Sequence, residues 1–158
     1  MTDQVVKAIS LWQPWASLML LSTDVRSNML RHRKWDQDHR GLLLIHSAMR
    51  LPPLAIETAK DEPFKACLKD DPYWSIKRGQ ILGAVEIKIS SCEMMAWECP
   101  NAVRFKTPFF WKGRQRFFDV PARSVLLATE QWDECPEWWG NTPGCPGCLC
   151  ETCRSYGD

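Results

Sequence analysis

Apolar positions in this chain come in short runs separated by polar or proline-rich breaks, and the runs change character along its length. Val5 to Ile9 is short and β-branched, which predicts a strand. Pro14 suits the first turn of a helix, where its missing N–H costs nothing, and Trp15, Leu18, Met19 and Ser22 fall on one helical face. Asp24 to Gln37 has no clear period and carries Arg26, Arg31, His32, Arg33 and Lys34, a basic loop with a possible strand around Arg33-Lys34-Trp35. Gly41 to Ala48 is continuously apolar except for His46 and predicts a central strand. Leu51-Pro52-Pro53 breaks the chain, Leu54 to Leu68 is weakly helical with an interruption at Pro63, and Asp70-Asp71-Pro72 is a turn. Gly79 to Ile89 alternates as a strand in which Gly83 marks a bulge or a close backbone approach. Val103 to Phe105, Gln115 to Val120 and Ser124 to Thr129 predict three more strands. From Cys135 to Asp158 the chain turns rich in Cys, Gly and Pro, with no room for a long element.

About six short strands and two or three helices predict an α+β fold: a small mixed β-barrel over residues 1–130, with a cysteine-rich extension over residues 131–158. A length of 158 residues fits a single core, and 45% hydrophobic with 25% charged residues is the range of a globular protein. The formal net charge of +1 favours no partner, so only a local patch could attract an anion. No apolar run approaches the roughly 20 residues that span a bilayer, and the first residues lack a basic start with a long apolar stretch. The expectation is a cytoplasmic protein with no membrane partner, whose eight cysteines are thiols or metal ligands rather than disulfides. Nine tryptophans are many for this length, and several must lie near the surface, where base stacking or partner contacts would use them.

Certain residues stand out as candidates for chemistry. Trp12 and Trp15 could stack a base or pin the first helix to the core; Gln13 could read a base edge or cap that helix. His46 titrates near neutral pH, although a lone strand histidine is more often a satisfied core residue. Glu86 shares parity with Ala84 and Lys88, which favours a solvent-facing position; if it faced inward it would need a raised pKa or a cation such as Arg33. Arg33, Arg40, Lys112 and Arg114, interleaved with Trp35 and Trp111, have the composition of a single-strand groove, provided the fold brings the two runs together. The tail holds Cys145, Cys148, Cys150 and Cys153, two C-x-x-C pairs one residue apart, with Cys135 ten residues upstream. Four of these five thiols would fit a structural zinc, or an iron–sulfur cluster, that orders a segment poor in core-forming residues; Cys92 or Cys99 could also take part.

Four segments resemble the ASCH domains, a family with a PUA-like β-barrel fold: Ala8 to Leu18 with its Ser-Leu-Trp-Gln-Pro-Trp core, Arg40 to Arg50, Gly79 to Ile87, and Trp111 to Gln115. They occur in the family's order between about residues 5 and 128. The resemblance implies a cleft for RNA, single-stranded nucleic acid or a modified nucleoside, with Trp12, Gln13, Trp15 and Trp35 near the base and Arg33, Arg40, Arg50, Lys112 and Arg114 near phosphates. Some relatives are similar to amidohydrolases that deacetylate acetylated cytidine, others to ribonucleases, and others are binding modules. For an enzyme, His46 or Glu86 would be the base and Arg33 would stabilise an oxyanion. The family's lysine and glutamate between the first helix and the next strand are not in register here: Asn28 and Arg31 fall at those positions, and Arg33 at the arginine. The expectation is therefore a nucleic-acid-binding domain, with a nucleoside- or RNA-directed hydrolase as the alternative and a protein-interaction or inhibitor module as the third reading.

Overall fold

The structure, a computed structural model, describes residues 4–22, 25, 39–89 and 97–156. Five strands, β1 (Val5–Leu11), β2 (Gly41–Ser47), β3 (Gln80–Ile89), β4 (Trp97–Phe110) and β5 (Phe117–Pro121), form one mixed sheet in the order β4-β3-β2-β1-β5. β1 and β2 are parallel, pairing Ala8 with Leu44 and Ser10 with His46; the other three pairs are antiparallel. A parallel pair needs a crossover, and α1 (Trp15–Leu21) opens it. Helices α2 (Pro53–Ala59) and α3 (Phe64–Leu68) follow β2, α4 (Ala122–Thr129) follows β5, and α5 (Glu151–Tyr156) lies near the end.

β2 is buried at every position, and its place at the centre of the sheet explains why its sequence is continuously apolar rather than alternating. Leu43 and Ile45 pack with Ile9, Leu11, Val85 and the α1 residues Leu18 and Met19. Leu42 and Leu44 face the other side, with Val6, Ala8, Ala84, Phe105, Val120 and Val125. Trp132, Trp139 and Cys150 belong to that second core, so packing does not break at residue 130 and the tail is built onto the sheet. The Leu42 N–H donates to the Pro143 carbonyl at 2.8 Å. Gly41, at φ 95°, lies so close to Pro143 that a Cβ would collide with it.

Some expectations are corrected. The sheet is open, with β4 and β5 as its edges and, among the described residues, no pairing between them that would close a barrel. Among the described residues there are five strands rather than six, because Ser124 to Thr129 lies within helix α4. Val125, Ala128 and Thr129 are buried there at i, i+3 and i+4, a helical period that a strand reading of a β-branched run overlooks. Val103 to Phe105 is the middle of the 14-residue β4. The weakly helical stretch does split at Pro63 into α2 and α3, and the β3–β4 register does shift between Ile81 and Gly83. The possible strand around Arg33 to Trp35 lies outside the described residues. Among the described residues, no helix is long and apolar enough to cross a membrane.

Candidate binding cleft and cysteine centre

The parallel pairing of β1 and β2 puts the C-terminal ends of both strands at one edge of the fold. Ser10 and Trp12 arrive there from β1, and His46, Ala48, Met49 and Arg50 from β2. Gly79, just before β3, and Phe110 to Gln115, after β4, complete a cleft of about 740 Å³, within the usual size of a small-ligand site. Trp12 is half-exposed at 49%. The Arg50 guanidinium lies 5.8 Å from the centre of its ring, a cation–π distance. Arg50, Lys112 and Arg114 line the cleft, and among the described residues no carboxylate does. Segments 8–18, 40–50, 79–87 and 111–115 all contribute to it.

His46 forms the floor. Its Nε2 is 2.6 Å from the Trp111 carbonyl and its Nδ1 is 3.0 Å from Ser10 Oγ. A carbonyl only accepts, so Nε2 carries the proton in the neutral ring and Nδ1 accepts the Ser10 hydroxyl. Phe118 packs edge-on against the imidazole at 5.6 Å. Burial lowers the His46 pKa from its ordinary value, against the opposing pull of the Trp111 carbonyl, and keeps the ring neutral at pH 7. Gly113 covers this pair: a Cβ there would stand 2.5 Å from His46 Cε1 and 3.3 Å from Ser10 Oγ, so any larger residue must displace the loop or the ring.

Other candidate residues lie elsewhere. Gln13 is fully buried: its Nε2 contacts Ser17 Oγ and the carbonyls of Trp74 and Lys77 at 2.9 to 3.1 Å, and its Oε1 accepts the Ser17 N–H at 2.9 Å. That amide ties the start of α1 to the chain before β3, which uses up the groups a base would need. Trp15 packs edge-on against Phe64 at 5.2 Å, joining α1 to α3. Arg40 lies at the opposite end of β2, where it shares a second hollow with Glu86, Lys88, Asn101 and Trp138.

Glu86 does not face solvent. It is only 4% exposed, accepts from Asn101 Nδ2 at 2.8 Å and Thr142 Oγ1 at 3.0 Å, and has Lys88 Nζ at 3.7 Å. The tail segment carrying Thr142 covers the face that strand parity alone left open, and these donors satisfy the buried carboxylate. Glu86 pairs with Leu42, four residues before His46 on β2. That is about 13 Å along the strand, too far for the two to act on one atom. Lys7 pairs with Asp119 at 2.6 Å across β1 and β5. Arg33, Trp35, Lys34 and Cys92 lie outside the described residues. Ser10, Met49, Phe110 and Gly113 are cleft residues that nothing in the pattern of the sequence marks as functional.

The tail brings Cys135, Cys148, Cys150 and Cys153 together, with all four sulfurs within 4.8 Å of one another. Cys135 and Cys153 Sγ are 3.7 Å apart. Four thiolates about 2.3 Å from a tetrahedral ion would be spaced about 3.8 Å, so this group can hold a metal ion. The Cys150 N–H donates to Cys148 Sγ at 3.3 Å and the Cys153 N–H to Cys150 Sγ at 3.4 Å, contacts that stabilise thiolate. Burial pushes the Cys148 thiol up to about 11 and raises that of Cys135 further. Burial opposes ionisation of Cys150 too, but the Cys153 N–H and the neighbouring thiols outweigh it and bring Cys150 down to about 7. Cys145 stands outside the group of four, its sulfur accepting the Gly147 N–H at 3.4 Å, and burial raises its pKa. The site is clamped by protein contacts: Trp139 Nε1 donates to the Gly147 carbonyl at 2.8 Å and the Leu149 N–H to Thr129 Oγ1 at 2.9 Å. Cys99 is buried in the other core, and Cys67 packs against that core from its edge.

Neither a protein-family model nor a curated protein matches this chain.

Proposed function

We propose that the Trp12 cleft binds single-stranded nucleic acid, RNA in particular. The observation that carries this reading is the cleft's composition: a half-exposed tryptophan face and three cations, with no carboxylate among the described lining residues. Trp12 would stack a base, while Arg50, Lys112 and Arg114 would hold the flanking phosphates. The resemblance of the cleft-forming segments to ASCH domains points the same way. The test is fluorescence anisotropy with labelled single strands of RNA and DNA at low salt. Binding that weakens with added salt and in Trp12→Ala supports the reading, and no binding at low salt overturns it.

We also propose that Cys135, Cys148, Cys150 and Cys153 hold one structural zinc ion. Four thiolates are a complete ligand set for a tetrahedral structural ion, and the proposed ion would join residues 135 and 148–153 across the second core. Elemental analysis of purified protein should find one zinc per chain. Iron in its place, with the visible absorption of a cluster, would replace that assignment.

A further inference from the structure

Ser10 and His46 are register partners on the parallel strands β1 and β2, so the sheet itself sets their side chains side by side at the cleft floor. The Trp111 carbonyl fixes the imidazole in the tautomer whose Nδ1 lone pair points at the Ser10 hydroxyl. A hydroxyl, a neutral base and a group that orients the base make up the machinery of an activated serine, here with a backbone carbonyl where a carboxylate more often sits. Simple core satisfaction would account for the hydrogen bonds. It would not account for their place: both residues line the cleft, under a glycine and beside three cations.

We infer that Ser10 is a nucleophile activated by His46, and that the cleft accepts an activated ester whose acyl group carries a negative charge. Ser10 Oγ bonds to the acyl carbon as its proton passes to His46 Nδ1, and the carbonyl electron pair moves onto the oxygen. Lys112 and Arg114, cations of the same cleft lining, would stabilise that oxyanion, and Nε2–H stays with Trp111 throughout. Collapse breaks the bond to the leaving oxygen, which takes the proton from Nδ1. Water then attacks the acyl carbon, gives a proton to Nδ1, and the carboxylic acid leaves as Ser10 recovers its hydroxyl proton from the ring. The net reaction is ester plus water to acid plus alcohol. Arg50 completes the cationic lining that would select an anionic acyl group over a neutral one.

This inference stands apart from nucleic-acid binding, and its test reads a covalent bond rather than affinity. The whole protein is treated with an alkyl fluorophosphonate, which phosphonylates activated serines with loss of fluoride, and the modified peptide is mapped by mass spectrometry. Labelling at Ser10, absent in Ser10→Ala and slowed about 100-fold in His46→Gln, is the expected result. Thermal melts of both variants show whether they are folded, and competition by 4-nitrophenyl succinate against 4-nitrophenyl acetate reads the charge preference in the unsubstituted protein. No label in that protein, or label confined to cysteines, lysines or other serines, overturns the assignment. Equal protection by the two esters overturns the anionic selectivity alone.

Discussion

The cysteine centre and the cleft are built in opposite ways. The centre gathers four thiols from 19 consecutive residues, Cys135 to Cys153, and the short spacing of Cys148, Cys150 and Cys153 does much of the positioning. The cleft takes its residues from four segments scattered between Ser10 and Gln115 and exists only because two strands run parallel. A site made from neighbouring residues leaves its mark in spacing. A site made by sheet register leaves none, because strand residues far apart in sequence meet only after the sheet has paired. The difference extends to packing: the centre lies against the second core, whereas cleft residues such as Trp12, Met49 and Phe110 are exposed.

That contrast breaks if damage to the centre is mild. Cys150→Ser puts a hydroxyl at a fully buried position that the proposed ion would use, and is expected to lower unfolding free energy by more than about 4 kcal/mol, measured by urea denaturation. A strong zinc chelator should move the untreated protein in the same direction, and an unchanged curve would separate the centre from stability. Trp12→Ala tests the other side. It should weaken single-strand RNA binding by about 1–3 kcal/mol while shifting unfolding free energy by less than about 0.5 kcal/mol. Replacing Lys112 and Arg114 together by Ala should flatten the slope of log affinity against log salt by about 1.4, two phosphate contacts at about 0.7 each.

The smallest effect is the pH dependence set by His46. Its pKa is below the ordinary 6.5 in the folded protein, so the unfolded chain binds the proton more readily. The stability due to the neutral ring is complete above pH 6.5 and is lost as pH falls below it toward the folded value. The difference in unfolding free energy between the unsubstituted protein and His46→Gln should therefore change between pH 7 and pH 5, and a constant difference would place His46 in a more solvated setting. Comparing the two proteins at each pH cancels the acid lability of the thiolates.

Much of the fold was legible where one pattern dominated. The apolar run at Gly41 to Ala48, with His46 as its exception, predicted a central strand, and Pro63 an interruption of the helical stretch. Glu86 misled because alternation describes a strand with one wet face, and the covering segment, which carries Thr142, comes from 56 residues further along the chain. Gln13 sits in a turn between two tryptophans and looks available, yet its partners at Trp74 and Lys77 are supplied by a distant loop. The run from Ser124 to Thr129 is apolar enough for a strand, and only its packing against the sheet selects the helical period.

By itself the sequence determined the local things: which runs enter the core, where proline and glycine break them, and that a cluster of tail cysteines can gather round one ion. Their cause lies within a few bonds of each residue, in backbone sterics, side-chain polarity and spacing. The tertiary structure decided the rest. It fixed the open order of the strands, drew the tail into the second core over Glu86, and set His46 against Ser10 beneath Gly113, a meeting that depends on a parallel register no stretch of chain contains.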